Sequence, residues 1–156
     1  MDSLIQNIRT LIGHNVPISS SSPSMPETKL ALLDEYCRQM EDYLDVVSDI
    51  TETLAIGVKQ LRRRQRYFET LVHETNKSIE TFSYEGQEKL AKAAAERKHV
   101  LSQAVKTCRH EADLQNARLL EFMDAKLQLE ARLIEVNQER ALLEALIDQD
   151  ITLQPI

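Results

Sequence analysis

Histidine and cysteine are the side chains in this sequence that could most readily bind a metal or act as a nucleophile. The four histidines are His14, His73, His99 and His110. Their spacing fits no zinc site, and the sequence has neither a His-Glu-x-x-His nor a Cys-x-x-Cys motif. Cys37 and Cys108 fall on apolar positions of a helical pattern, which favours small buried side chains over redox chemistry. The sequence contains no glycine-rich loop that could bind phosphate. The sequence therefore predicts no enzyme, no metal and no cofactor.

Charged residues are the more informative group. Acids dominate residues 27–52, which we call the acidic segment, and its central members are Glu41, Asp42 and Asp45. A run of bases follows, and we call it the basic belt: Lys59, Arg62, Arg63, Arg64 and Arg66. Opposite charges separated in this way favour staggered pairing between copies of the chain, although a merely solvated surface is the alternative. The net charge of −6 argues against nucleic acid as a partner.

These charges must be positioned by long helices. The chain of 156 residues has only three glycines and four prolines, and helix-forming residues predominate. We predict one helical arm over about 26–83 and a second over about 87–147, followed by a tail at 149–156. The only turn signal between the arms is Ser83 to Gly86. If the turn centres near residue 85, Lys106 and Arg109 of the second arm should lie beside the basic belt and leave it without neutralising partners.

Each arm carries an apolar seam with the three-four spacing of a coiled coil. The first seam is Leu30, Leu33, Cys37, Met40, Leu44, Val47, Thr51, Leu54, Val58, Leu61, Gln65, Phe68, Val72, Thr75, Ile79 and Phe82. The second is Leu101, Val105, Cys108, Ala112, Gln115, Leu119, Phe122, Lys126, Leu129, Leu133, Val136, Arg140, Leu143 and Ile147. Two such helices joined by a tight turn bury their seams by folding back antiparallel. The sequence predicts an all-α fold, with a coiled-coil hairpin over 26–148.

Residues 1–16 form a separate unit before a Pro/Ser linker at 17–26. At about 100° per residue, its apolar side chains share an arc of roughly 140° that faces polar residues. This pattern predicts an amphipathic helix that binds lipid, and the alternative is a helix that docks on the hairpin or stays disordered. The predicted lipid-binding residues are Met1, Leu4, Ile5, Ile8, Leu11, Ile12 and Val16, with Arg9 at the border. Because Arg9 is the only base, we expect the helix to respond to packing defects in the bilayer more than to lipid charge.

A second apolar stripe lies beside each seam, far from the turn. On the first arm the stripe comprises Leu32, Tyr36, Tyr43, Val46 and Ile50, and on the second arm it comprises Leu120, Met123, Leu127 and Ile134. A two-helix hairpin needs one seam per helix, so the extra stripes predict a further partner, most simply another copy. A thicker local core is the alternative. We assign self-assembly to Tyr36, Tyr43, Val46 and Ile50, together with the basic belt and Glu41, Asp42 and Asp45.

Two stretches resemble one known family. Residues 33–44 read LDEYCRQMEDYL, and residues 86–98 read GQEKLAKAAAERK. Both resemble the hairpin of phage-shock protein A and of the vesicle-inducing protein in plastids, which belong to the bacterial ESCRT-III superfamily. The order of elements is similar as well: a short amphipathic helix, a linker containing proline, and a long antiparallel hairpin.

The resemblance implies a function and a location. Members of that family are stress-response proteins that lie on the inner, cytoplasmic face of the membrane, assemble into homo-oligomers or polymers, and protect or remodel the bilayer. The expected partners are therefore membrane lipids and the chain itself. The alternative implied by the resemblance is a regulatory coiled-coil module that sequesters a AAA+ transcription activator.

Overall fold

The computed structural model describes residues 2–14 and 26–153, and every regular element within them is a helix. Helix α1 spans Asp2–Gly13, α2 spans Pro26–Tyr84 and α3 spans Glu88–Leu153. The all-α prediction is confirmed, and the contacts between α2 and α3 are those of a helical hairpin. The predicted linker, apart from Pro26, lies outside the described residues, as do Met1 and Val16 of the predicted lipid-binding set.

The ends of the two long helices follow local sequence. Pro26 occupies the first position of α2, where its missing N–H is not needed, and Glu27 lies in the positively polarised first turn. Helix α3 continues to Leu153, beyond the predicted end at Ile147. Helix α3 therefore includes residues 149–153 of the predicted tail. No glycine or proline separates Gly86 from Pro155, so nothing in the sequence stops the helix earlier.

The chain divides into two compact units, each containing part of α2 and part of α3. Unit 1 comprises Met1–Thr51 and Glu121–Ile156, and unit 2 comprises Glu52–Leu120. In unit 1, α2 and α3 each contribute side chains at intervals of seven residues that are almost completely buried. They are Leu33, Met40 and Val47 on α2, and Phe122, Leu129 and Val136 on α3. All six belong to the predicted seams.

The core of unit 2 is thinner. Its buried side chains are Val105 and Ala112 of α3 and Thr75 of α2, whose hydroxyl donates a hydrogen bond to the Leu71 carbonyl at 2.7 Å. Helix α2 passes through Gly57 without interruption. A Cβ at that position would lie 2.7 Å from Oε1 of Gln115, so the glycine leaves room for a side chain of α3.

The turn between α2 and α3 is a Schellman motif centred on Gly86. The Gln87 N–H donates to the Phe82 carbonyl at 2.9 Å, and the Gly86 N–H donates to the Ser83 carbonyl at 3.2 Å. Gly86 has a φ of 73°, which only glycine adopts without steric cost. The glycine therefore ends α2 and reverses the chain.

Replacing Gly86 with Ala should lower the free energy of unfolding by about 1 kcal/mol, because alanine is strained at positive φ. Urea denaturation followed by circular dichroism measures this loss. Gly13→Ala is the matched control, since Gly13 ends a helix without positive φ and has no atom near its missing Cβ. An equal effect of the two substitutions would contradict the role of Gly86.

Candidate functional site

Helix α1 is the first candidate, and it buries one side of its surface. Ile5, Ile8 and Leu11 are buried, and Ile8 has no exposed area. These three residues recur at intervals of three, so they share one face of the helix. Two more residues of the predicted lipid-binding set, Leu4 and Ile12, are half-buried. The exposed residues include Ser3, Gln6, Asn7, Arg9 and Thr10.

Tyr36 of α2 holds α1 in place. Its hydroxyl donates a hydrogen bond of 2.5 Å to the backbone carbonyl of Leu11, in the last turn of α1. The Tyr36 side chain is buried, with 8% of its surface exposed. Tyr43 and Val46 of α2 line a cavity of about 680 Å³ together with Leu11 and His14. The α2 stripe that we predicted for self-assembly is thus partly covered by α1.

Arg132 of α3 completes this cluster. Its guanidinium lies over the Tyr36 ring, 5.8 Å from the ring centroid, and its Nη1 donates to Glu135 at 3.0 Å. The pKa of Arg132 is raised, chiefly by the Tyr36 side chain and further by Glu135, while burial acts in the opposite direction. The Nε–H is buried and has no partner among the described residues. Arg132 was not predictable from the sequence, because a lone base beside a seam resembles any solvated residue.

The remaining α2 stripe is only partly accessible. Leu32 and Val46 are exposed over nearly half of their surfaces, and Tyr43 and Ile50 are half-buried. The α3 stripe is exposed to a similar or greater extent. Within unit 1, Met123, Leu127 and Ile134 are all exposed, the last two by 60% or more. The thicker-core alternative therefore does not describe the α3 stripe.

The basic belt is neutralised in part. Arg62 forms an ion pair with Asp113 at 2.6 Å, and Arg109 forms one with Glu69 at 3.5 Å. Our expectation that Lys106 and Arg109 would leave the belt unneutralised is wrong for Arg62. The reason is register, since the turn at Gly86 brings Asp113 rather than Lys106 beside Arg62. The free members of the belt are Lys59, Arg63, Arg64 and Arg66, which are exposed and form no ion pair with a described residue.

The acidic segment also retains free charges. Asp34 pairs with Arg140 of α3 at 3.2 Å. Glu41, Asp42 and Asp45 are exposed, and none forms an ion pair with a described residue. These three acids of the acidic segment therefore lie free in unit 1, and the four free bases of the belt lie in unit 2. Exposed charges of this kind contribute little to folding and are available to a partner.

The rest of the described chain offers few other sites. Residues 2–14 and 26–153 contain no group of His, Cys, Asp or Glu side chains suited to hold a metal ion. None of their helices is long and apolar enough to span a bilayer. Comparisons with known protein families and with curated proteins find no match.

The two cysteines are free thiols in different surroundings. Cys37 is buried in unit 1, where its Sγ–H donates to Oδ1 of Asn137 at 3.6 Å, and Cys108 is half-buried in unit 2. Burial raises the pKa of the Cys37 thiol, which outweighs the lowering by Arg140. Less of Cys37 is therefore present as thiolate near neutral pH, and the thiolate is the reactive form.

Cys37 should be alkylated by iodoacetamide several-fold more slowly than Cys108, because Cys37 is more buried and burial raises its own pKa. Mass spectrometry of Cys37→Ser and Cys108→Ser variants over time gives the two rates separately. In mild denaturant the rates should converge. Faster labelling of Cys37 in the folded chain would contradict the packing of unit 1.

Proposed function

We propose that this chain is a self-assembling scaffold that lies peripherally on the inner face of a membrane and protects or remodels the bilayer, as phage-shock protein A does. The proposal rests chiefly on one observation. Helix α1 separates apolar Ile5, Ile8 and Leu11 from polar Gln6, Asn7 and Thr10. This two-sided distribution supports an amphipathic helix that lies at a membrane interface.

The energetics of α1 suit reversible binding. Insertion of its apolar side chains into the acyl boundary is worth about 5–10 kcal/mol before ordering costs. Arg9 is the only base of the helix, so attraction to anionic lipid adds little. A single copy would therefore bind reversibly, and an assembly would bind through many helices at once.

The α3 stripe supports self-assembly. Met123, Leu127 and Ile134 recur at intervals of four and seven residues, so they line one face of α3. They are exposed although Leu129 and Val136 of the neighbouring α3 seam are already buried. A continuous apolar stripe on a solvent-exposed surface favours contact with a partner. The free acids and bases described above would set the register of copies, while the apolar stripes supply most of the affinity.

Ile8→Glu tests the lipid-binding helix. A carboxylate at the centre of the apolar face should lower co-sedimentation with phosphatidylcholine vesicles at least tenfold, since burying a charge in the acyl region is costly. Gln6→Glu is the matched control, because it adds the same charge on the exposed side of α1. Vesicle binding that is equal in the two variants would refute the role of this face.

Deletion of residues 1–22 separates the scaffold from the regulatory module that the resemblance also implies. A membrane scaffold should lose vesicle binding upon this deletion. A sequestering hairpin should keep its protein partner, because that partner binds α2 and α3.

Reversal of the free bases tests charge-guided assembly. Arg63, Arg64 and Arg66 are changed to Glu together, and Arg62 is left intact because it pairs with Asp113. Assembly measured by sedimentation velocity should weaken at least fivefold. Changing Glu41, Asp42 and Asp45 to Lys in the same chain should partly restore it, because the attraction is re-formed with opposite signs.

The charge-matched control changes Lys89, Lys92 and Arg97 to Glu, three exposed bases outside the belt. This variant should assemble like the parent chain. The parent assembly should also weaken at about 0.5 M salt, where the screening length is only ~4 Å. If neither salt nor the belt reversal affects assembly, the charges do not set its register.

A further inference from the structure

The apolar face of α1 is buried in unit 1 and is also the face that we propose for lipid binding, and it cannot do both at once. The side chains proposed to enter the bilayer, Ile5, Ile8 and Leu11, are buried in unit 1. Ile8 has no exposed surface, so it cannot contact acyl chains while α1 remains docked. Membrane binding through this face therefore requires α1 to leave α2.

The surface beneath α1 is also one that we assign to assembly. Tyr36 is buried and bonded to Leu11, and Tyr43 lines the cavity between α1 and α2. A second copy cannot pack on Tyr36 while α1 covers it. Release of α1 would thus expose a lipid-binding face and an assembly surface in a single step.

We propose that docked α1 is an autoinhibitory contact, and that the Tyr36 hydroxyl bond to the Leu11 carbonyl is its latch. A bilayer competes with α2 for the apolar face of α1, so the chain assembles where membrane has captured the helix. This inference rests on the proposed membrane function and adds a regulatory step to it.

The latch is suited to a reversible switch. The Leu11 carbonyl also accepts the His14 N–H at 3.3 Å, so loss of the Tyr36 bond leaves it with one partner. A neutral buried hydrogen bond of ordinary net strength corresponds to a factor of about 2–10 in an equilibrium. When the competent state is a minor one, apparent affinity rises in proportion to its population. Weakening the latch should therefore strengthen vesicle binding by the same factor.

Tyr36→Phe tests the latch in the full chain, since it removes the hydroxyl and keeps the ring against Arg132. Hydrogen exchange of amides in residues 5–14 should accelerate about 2–10-fold without vesicles, because α1 is released more often. Affinity for phosphatidylcholine vesicles should rise by a similar factor. Self-assembly without vesicles, measured by sedimentation velocity, should increase as well.

Tyr84→Phe is the matched control. Tyr84 ends α2 outside the residues assigned to lipid binding or assembly, its side chain is exposed, and its hydroxyl makes no hydrogen bond with a described residue. Removing this hydroxyl should leave exchange in residues 5–14, vesicle affinity and assembly at the level of the parent chain. Circular dichroism should give the same helical content for all three proteins.

The outcomes separate two kinds of failure. If the parent chain binds vesicles but Tyr36→Phe does not bind them more tightly, the autoinhibitory contact is refuted and the proposed function stands. Exchange in residues 5–14 that is as fast as in an unfolded peptide would also refute it, because α1 would not be docked. If neither the parent chain nor any variant binds vesicles, the proposed function fails and the inference fails with it.

Discussion

The structure depends on mutual burial of the α2 and α3 seams. Helices of this length are not held by local propensity alone, and most helical stability in proteins comes from packing an apolar face. In unit 1, Leu33, Met40 and Val47 meet this requirement at every seventh residue of α2. Phe122, Leu129 and Val136 meet it in the same way on α3. Because the seams satisfy each other, every apolar side chain outside them must find another partner or remain exposed.

Helix α1 and the α3 stripe represent these two outcomes. Ile8 of α1 is fully buried, and Tyr36 beneath the helix is nearly so. Leu127 of the α3 stripe is mostly exposed. The chain therefore combines a buried apolar surface, which would open in the proposed switch, with one that is exposed already. Coupling between them would let membrane contact control assembly without any cofactor or chemical step.

Electrostatics refines this arrangement without dominating it. Arg62 forms an ion pair with Asp113, and Arg140 forms one with Asp34. These two pairs join α2 to α3 within each unit. Exposed pairs of this kind contribute at most about 1 kcal/mol each. Their larger effect is to decide which charges remain free, for example Arg63 in the belt. The free charges are the ones that a neighbouring copy can use.

Periodicity and turn chemistry were sufficient to predict the helices, the seam members Leu33 and Phe122, and the turn at Gly86, because these features depend on neighbours along the chain. The position of α1 was not predictable. Its apolar face fits a bilayer and a hairpin equally well, and only tertiary packing places Leu11 against Tyr36. The pairing of Arg62 with Asp113 likewise depends on register across α2 and α3. A shift of a few residues in the register of α2 against α3 changes which side chains meet and leaves the apolar pattern of each helix intact. The tertiary structure alone therefore decided which ion pairs form.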